Sequence, residues 1–230
     1  MKAYAIYVHG NQVAETGVDR LIKSSIAVDN EFIVEPWHAV TPKNVHDKLN
    51  FHNIRWNYPW EGEVIDFASG LTKKAYPTQN PDARISCAVS HYILWKLAAE
   101  EKEATLILEH DAIFTKKIDF HPNITRHQII GINNPLGCTR LSRLFAEKVE
   151  NVEAEYQYTP WIDSQAIPQG LAGNSAYIIK PEGAKMMLEL VDRYGLWPND
   201  ALMCRQLFPL LGVTKTHYTW IQGLRSTTTL

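Results

Sequence analysis

The chain has 230 residues, with 23 basic and 25 acidic side chains and a formal net charge of −2. Hydrophobic residues make up 45% of it, which is ordinary for a globular protein long enough to bury a core without disulfides. The near balance of charge argues against a dedicated nucleic-acid-binding protein and against a polybasic protein of membrane surfaces. Small-molecule enzymes and protein-binding modules stay open.

The three cysteines, Cys87, Cys138 and Cys204, are odd in number and widely spaced. Such spacing is not typical of a disulfide framework or of a cysteine-based zinc site. The apolar run at residues 4–8 is too short for the apolar region of a signal peptide, and no later stretch reaches the length of a membrane span. We therefore expect a cytoplasmic protein without a membrane span.

The first third of the chain begins with regular elements. Residues 4–8 are rich in β-branched and aromatic side chains and predict a buried strand that ends at a turn. Residues 18–25 predict a short helix, and residues 31–35 a second strand closed by Pro36. Residues 37–81 are rich in aromatic residues and show no sustained period, which predicts an irregular segment. Its aromatic faces could stack on an acceptor sugar, or they could be the core of an irregular lobe.

The rest of the chain alternates helices with short apolar strands. Residues 86–101 are apolar on nearly all sides and predict a buried helix. Strands are predicted at residues 105–108, 128–132 and 172–179, and a helix runs from Pro181, a typical first helical residue, to Tyr194. This alternation predicts an α/β fold with a mostly parallel central sheet, in a single domain of residues 1–230.

Two acids at the end of a predicted strand are the first feature with a chemical interpretation. Side chains two residues apart on an extended chain point the same way, so Glu109 and Asp111 can converge on one cation while His110 points away. In an open α/β sheet, ligands bind beyond the carboxyl ends of the strands, where carboxylates suit a hard divalent ion that also holds phosphate oxygens. Nucleotide-sugar glycosyltransferases need such an ion to neutralise the departing diphosphate. The alternative is a solvated loop with two surface acids.

Three blocks of sequence, in order, resemble glycosyltransferase family 25. The first joins the Cys-x-x-Ser-His element at residues 87–91 to the apolar strand and acidic triplet at residues 106–112. The second is the small-residue strand at residues 173–179 with the Gly-Ala-Lys helix at residues 183–185, and the third is Pro198-Asn199-Asp200. That family includes bacterial lipopolysaccharide galactosyltransferases and relatives of the procollagen galactosyltransferases.

The resemblance implies a GT-A-type, Rossmann-like domain that uses a divalent ion, usually Mn²⁺ or else Mg²⁺, and a nucleotide sugar. The reaction it implies is inverting transfer of a hexose, commonly galactose from UDP-galactose, to a glycan or another hydroxyl acceptor. The chain departs from the family's pattern at His110, where an acid is usual, and at Ala83-Arg84, where Gly-Glu is usual.

These departures leave two other interpretations open. One is a catalytically silent sugar- or protein-binding module on the same scaffold. The other is a metal-dependent nucleotidyltransferase, since acids at a strand end serve those enzymes too. The lack of a Gly-rich phosphate loop in the sequence disfavours the second.

The resemblance also implies metal ligands and a base. Asp111 would bind the ion directly, and Glu109 would reach it through water or hold the nucleotide. His217 is a candidate third ligand because neutral imidazole suits manganese, although most histidines are solvated or core partners. Asp200 is the candidate general base, which takes the proton of the acceptor hydroxyl. Alternatively, Asn199 or Asp200 simply caps a following helix.

Residues that would bind the donor, besides Glu109, are Ser90, His91, Asn174, Ser175 and Gln222. Ser90 and His91 would contact the donor or support the site, but His91 on an apolar helix also fits a buried, hydrogen-bonded core residue. Asn174 and Ser175 would hydrogen-bond the sugar or acceptor, or would pack as small residues of a central strand. Gln222, with Ser226 beyond it, would touch the diphosphate.

Overall fold

A computed structural model describes residues 1–139 and 141–224 of the chain. The strands are, in chain order, β1 (Lys2–Tyr7), β2 (Val34–His38), β3 (Glu63–Asp66), β4 (Leu71–Lys74), β5 (Thr105–Glu109), β6 (Ala112–Phe114), β7 (Ile129–Gly131), β8 (Tyr156–Tyr158), β9 (Ala176–Ile179), β10 (Leu211–Thr214) and β11 (Thr219–Ile221). The helices are α1 (Gln12–Ala27), α2 (Val45–Phe51), α3 (Pro81–Glu100), α4 (Ser142–Glu150), α5 (Pro181–Tyr194) and α6 (Asn199–Leu202), with a 3₁₀ turn at Pro122–Ile124.

A seven-stranded sheet, in the order β2-β1-β5-β9-β7-β10-β8, lies at the centre. Within it, β1 pairs in parallel with β2 and β5, and β7 pairs in parallel with β10. The strands β9 and β8 run antiparallel to their neighbours. Since β2, β1, β5, β7 and β10 point the same way, the predicted α/β fold with a mostly parallel central sheet is confirmed.

Helices cover both faces of the sheet. Successive side chains of β5 point to opposite faces, so Ile107 joins the hydrophobic cluster under α3 and α5, while Leu106 and Leu108 join the cluster under α1. All three side chains are fully buried. A strand buried on both faces reads as a continuous apolar run, which is why residues 105–108 predict it so clearly.

The long helix α3 and the helix α5 have well-marked beginnings. The Asn80 side chain accepts a hydrogen bond from the Ala83 N–H at 3.1 Å, and Pro81 occupies the first turn of α3. The helix therefore begins five residues before the predicted one, at 81 rather than 86. Helix α5 runs from Pro181 to Tyr194 as predicted. No helix of the described ranges combines the length and the apolar character that crossing a bilayer requires.

The predictions for residues 31–81 are wrong in two respects. The second strand lies three residues later than predicted, and Pro36 is inside it, opposite Ala5 of β1. Because β2 is the edge of the sheet, the missing proline N–H costs no ladder bond. The segment at 37–81 is also more regular than expected, since it contains α2 and the hairpin of β3 and β4. These elements are too short to leave a sustained period in the sequence.

The carboxyl ends of β1 and β5 meet at one edge of the sheet. From β1 the chain moves to β2 on one side and later returns to β5 on the other, so the strand order reverses between β1 and β5. Ile6 in β1 pairs with Glu109 in β5. A crevice outside the carboxyl ends at such a reversal is the usual ligand site of an open α/β sheet.

Candidate active site

Two cavities meet at the carboxyl ends of β1 and β5. The narrow cavity, of about 70 Å³, lies between the ends of β1 and β2 and the first half of α3. The acidic cleft, of about 220 Å³, is lined by Glu109, Asp111 and Asp200 together with Arg84. Glu109 lines both, so it stands where the two cavities join.

The last residue of β5, Glu109, is fixed by its neighbours. Its backbone N–H donates to the Ser175 carbonyl at 2.8 Å, and its Oε1 lies 3.2 Å from His91 Nε2. The fully buried His91 is held in turn by the Tyr177 hydroxyl, 2.8 Å from its Nδ1. Burial alone would raise the pKa of the Glu109 carboxyl, but the hydrogen bond with His91 and nearby positive charge hold that pKa below its ordinary value. Glu109 is therefore an ionised and immobilised acceptor.

Asp111 has the opposite electrostatic character. Its Oδ1 is buried and has no hydrogen-bond partner among the described residues. Burial and repulsion from Glu109 raise the pKa of the Asp111 carboxyl to about 6. Both acids line the acidic cleft, whereas His110 lines only the narrow cavity. That the two acids converge on one cation stays a prediction. A buried, unpartnered carboxylate oxygen beside a second carboxylate suits a bound cation.

Gln222 forms hydrogen bonds with the backbone of the turn at residues 110–112. Its side-chain amide nitrogen lies 3.1 Å from the His110 carbonyl, 2.8 Å from that of Ala112 and 3.0 Å from that of Gly17. Its backbone N–H donates to the Asp111 carbonyl at 2.7 Å. A Cβ at Gly17 would lie 2.6 Å from the His110 carbonyl oxygen, so only glycine lets α1 approach the turn so closely. Gln222 lines neither cavity, and its predicted contact with diphosphate stays a prediction.

Asp200 lies in the first turn of α6 and faces the acidic cleft. The alternative that Asn199 or Asp200 caps this helix is wrong, because Pro198 occupies the N-cap and no side chain accepts a capping hydrogen bond. Burial raises the pKa of the Asp200 carboxyl above its ordinary value, against the positive charge of Arg84 and a hydrogen bond with Tyr76. A buried carboxyl with a raised pKa is suited to take a proton from a hydroxyl group.

Asn174 and Ser175 lie in the loop that leads into β9. They are not inside the strand, so their interpretation as small packing residues of a central strand is wrong. Asn174 is only 6% exposed, yet neither polar atom of its amide has a partner among the described residues. Ser175 hydrogen-bonds Asp111 with its side chain. A buried amide that lines a cleft with both polar atoms unpaired is costly unless a ligand pairs with it.

Ser90 has a supporting position in α3. Its hydroxyl donates to the Ser86 carbonyl at 2.7 Å and accepts from the Val40 N–H at 2.9 Å. It thereby ties the helix to the segment that follows β2, and it also lines the narrow cavity. The neighbouring His91 is a buried, hydrogen-bonded core residue that also fixes Glu109. Its contact with the donor stays a prediction.

His217 lies apart from the two acids. It lines a small cavity of about 10 Å³ beside Phe145 and Val149, which shares Leu171 with the acidic cleft but contains neither Glu109 nor Asp111. Its part in a metal site stays a prediction. Ser226 lies outside the described residues.

Arg84 is the site residue that the sequence analysis missed. It lines the acidic cleft, with its guanidinium carbon 5.3 Å from the centre of the Tyr76 ring and its Nε buried without a partner among the described residues. Its positive charge adds to the lowering of the Glu109 pKa and opposes the rise that burial causes in the pKa of Asp200. In the sequence, Ala83-Arg84 differs from the Gly-Glu of the family's pattern, which does not indicate a place in the cleft. The one local signal is the position of Arg84 in the first turn of α3.

A second group of potential metal ligands lies between the two cavities. Ligand atoms of Cys87, His91 and Glu109 lie within 4.8 Å of one another. However, burial together with the negative charges of Glu109 and Asp200 raises the pKa of the Cys87 thiol well above its ordinary value, and both ring nitrogens of His91 have partners. A metal needs the thiolate and a free imidazole nitrogen. The Glu109–Asp111 pair therefore fits a hard divalent ion better.

The known proteins that this chain resembles are described as glycosyltransferases. A family model described as glycosyltransferase family 25, LPS biosynthesis protein, matches residues 37–203. Among solved structures, the galactosyltransferase LgtC in complex with donor and acceptor sugar analogs is 12% identical, with a TM-score of 0.42 over 90% of this chain and 70% of that chain. An active-site mutant of LgtC is 13% identical, with a TM-score of 0.43 over the same shares. A comparison with curated proteins gives no match.

Proposed function

Because this chain belongs to glycosyltransferase family 25, we propose that its acidic cleft transfers a hexose from a nucleotide sugar to a hydroxyl group of a glycan or another acceptor. UDP-galactose is the proposed donor, and a GT-A-type arrangement of the sheet is part of the proposal. The observation that carries it is the pair of carboxylates at the strand reversal. The pKa of Glu109 is lowered and its side chain is fixed, and Asp111 has a buried oxygen with no partner among the described residues.

The proposed cofactor is a divalent cation, Mn²⁺ or Mg²⁺. Asp111 would hold it directly, and Glu109 would hold it directly or through water, since oxygen ligands suit both ions. When bound, the cation would neutralise the charge that develops on the departing diphosphate. His217 stays a predicted third ligand, although it lines the adjoining cavity.

The two cavities suggest how the donor lies. The nucleoside would enter the narrow cavity, where Ile6, Val8 and Pro42 supply apolar walls. Its diphosphate would then reach the junction at Glu109, and the sugar would lie in the acidic cleft. There Asn174 would offer to sugar hydroxyls its amide, which pairs with none of the described residues, and the guanidinium of Arg84 would offer donors to phosphate oxygens.

Asp200 is the proposed general base. It would accept the proton of the acceptor hydroxyl while the hydroxyl oxygen bonds to the anomeric carbon of the donor sugar. The bond from that carbon to the diphosphate breaks on the opposite face, and the diphosphate leaves with the electron pair. The configuration at the anomeric carbon is thereby inverted. The positive charge of Arg84 and the hydrogen bond with Tyr76 oppose the rise that burial causes in the pKa of Asp200.

A thermal-shift screen of nucleotide sugars, with and without Mn²⁺, tests the donor and the cation together. We expect UDP-galactose with Mn²⁺ to raise the melting temperature of the wild-type protein by several degrees, and Asp111→Asn to remove this shift. Asp192→Asn, which removes an exposed acid of α5, is the matched control and should keep it. An equal shift in Asp111→Asn, or no shift with any nucleotide sugar, would argue against the proposed site.

A further inference from the structure

A second large cavity, of about 710 Å³, lies away from the acidic cleft. We call it the basic groove, and its charged and aromatic lining consists of Arg126, His127, Lys148, Tyr156, Tyr158 and Arg205. No described residue that lines it is Asp or Glu. Neither the family match nor the proposed reaction assigns it a role.

The basic groove is remote from the site of transfer. It follows the edge strand β8, which is four strand positions from β5 in the sheet, a distance of about 19 Å at the usual strand spacing. It also lies toward the other end of the sheet, since Arg126 and His127 precede β7 and Tyr158 pairs with Gly212 at the start of β10. A ligand there would not touch Glu109 or Asp111.

The cations of the groove lack acidic partners. Arg126, Lys148 and Arg205 form no ion pair with a carboxylate in the part of the chain that the structure describes. Lys148 Nζ donates to the Trp161 carbonyl, and Arg205 Nη1 donates to the Thr159 carbonyl at 2.7 Å. These bonds fix the positions of two cations without neutralising them.

A tyrosine ring fixes the two guanidinium groups. The guanidinium carbon of Arg126 lies 4.8 Å from the centre of the Tyr158 ring, and that of Arg205 lies 5.4 Å from it. The His127 ring also packs against the Tyr158 ring. Their centres lie 4.7 Å apart and their planes meet at 87°. His127 is only 3% exposed, and its Nε2 has no hydrogen-bond partner among the described residues. The groove is thus preorganised and has an unsatisfied polar atom in its wall.

We propose that the basic groove binds an anionic saccharide, a sugar unit that carries a carboxylate or a phosphate. Guanidinium groups bind both anions through paired N–H donors, and this geometry favours them over spherical anions. Tyr156 and Pro160 supply apolar walls for the C–H faces of a sugar ring. A cavity of this size matches the usual volume of small-ligand sites.

The proposal rests on the proposed function only where it names a saccharide as the carrier of the anion. The groove would hold the acidic units of a glycan acceptor while another part of that acceptor reaches the acidic cleft. Binding at the groove needs neither the donor nor the divalent cation. A failure of hexose transfer and a failure of groove binding are therefore separate results.

Calorimetric titration of the full-length chain in EDTA tests the groove. The probes are oligogalacturonate, a 6-phosphorylated malto-oligosaccharide, neutral maltohexaose and inorganic tripolyphosphate. We expect at least one anionic saccharide to bind the wild-type protein, and Arg126→Glu to weaken it at least about tenfold, because the change reverses one of the unpaired charges. The tighter of the two anionic saccharides identifies carboxylate or phosphate as the preferred group.

Arg193→Glu is the matched control. Arg193 lies over the ring of Tyr194, at 5.1 Å, on an exposed position of α5 outside the groove. It makes the same change in net charge and should bind the probes like the wild-type protein. Equal weakening by both variants, tripolyphosphate binding as tightly as the anionic saccharides, maltohexaose binding as tightly as they do, or no binding of either anionic saccharide would overturn the proposal.

Discussion

Glu109 and Asp111 are two positions apart in the chain, yet their surroundings give them opposite protonation behaviour. Glu109 has His91 as a hydrogen-bond partner, which keeps its pKa low. Asp111 is half-buried, and its burial together with the negative charge of Glu109 raises its pKa to about 6. At the scale of the residue, the site therefore contains one carboxylate whose ionised form is favoured and one whose ionisation is costly until a cation binds.

The first prediction concerns Asp111→Asn in the absence of metal. The wild-type carboxyl binds its proton more tightly when folded than when unfolded, so ionising it destabilises the folded state as pH rises from about 4 through about 6. The asparagine variant avoids this cost. We expect its free energy of unfolding in EDTA to exceed that of the wild-type protein by about 1 kcal/mol or more at pH 7.5, with the difference vanishing near pH 4.

Urea unfolding at the two pH values measures the difference. Asp192→Asn, at an exposed position of α5, should change the free energy of unfolding by less than about 0.5 kcal/mol at either pH. A variant that is less stable than the wild-type protein at pH 7.5, or a difference that does not depend on pH, would contradict the assignment of a buried and destabilising charge to Asp111.

The second prediction separates chemistry from binding at Asp200. Asp200→Asn keeps the size of the side chain but cannot accept the proton of the acceptor hydroxyl. We expect transfer to fall at least about 100-fold, with the affinity for the nucleotide sugar unchanged. Steady-state turnover and calorimetry with the donor measure the two effects. Wild-type turnover would remove Asp200 as the base, and a parallel loss of donor affinity would make it a binding residue.

The sequence predicts these residues unevenly, for a physical reason. Strand alternation predicts that Glu109 and Asp111 face the same side, and both line the cleft although β5 ends at Glu109 and residues 110–111 form a turn. The places of the Asn174 amide, the Arg84 cation and the Gln222 side chain depend on which segments pack together. Such contacts join residues far apart in the chain, and no local pattern records them.

At the scale of the element, the contact between α3 and β9 supports the site. The Tyr177 hydroxyl of β9 accepts a hydrogen bond from Trp95 Nε1 at 2.8 Å and lies 2.8 Å from His91 Nδ1. All three side chains are buried. His91 also forms a hydrogen bond with Glu109. The Tyr177 hydroxyl therefore connects the packing of α3 on the sheet with the position of the Glu109 carboxylate in the cleft.

The third prediction removes that hydroxyl. Tyr177→Phe leaves the Trp95 N–H and one nitrogen of His91 buried without a partner, so we expect the free energy of unfolding to fall by about 2 kcal/mol. Tyr4→Phe, in β1, is the control, since the Tyr4 ring packs against Trp37 and its hydroxyl has no hydrogen bond to another described residue. Equal effects of the two variants in urea unfolding would show that Tyr177 contributes by ring packing alone.

Elements with strong local signals are predicted best. The run at residues 105–108 and the proline-initiated helix α5 are found where the sequence places them. The sequence does not predict that β9 runs antiparallel to β5 and β7. An antiparallel strand in a mostly parallel sheet carries no distinct pattern in its own residues. Short elements such as α2 and the β3–β4 hairpin depend on tertiary packing, so their sequences alone read as irregular.

At the scale of the whole molecule, a net charge of −2 conceals a separation of charge. Acids gather where the carboxyl ends of β1 and β5 meet, and unpaired cations line the groove along β8. The first arrangement suits a cation and the diphosphate it would neutralise, and the second suits an anionic saccharide. Composition alone excludes partners that require a strongly charged surface, but it does not reveal how charges are distributed over the fold.

The most direct test of the central claim is release of UDP from UDP-hexoses by the purified protein, with small hydroxyl acceptors, in Mn²⁺ or in EDTA. The account predicts release from UDP-galactose that requires Mn²⁺, persists in Asp192→Asn and is lost in Asp111→Asn. Release that is undiminished in EDTA or in Asp111→Asn would contradict the proposed cation site, and no release from any UDP-hexose would contradict the proposed transfer.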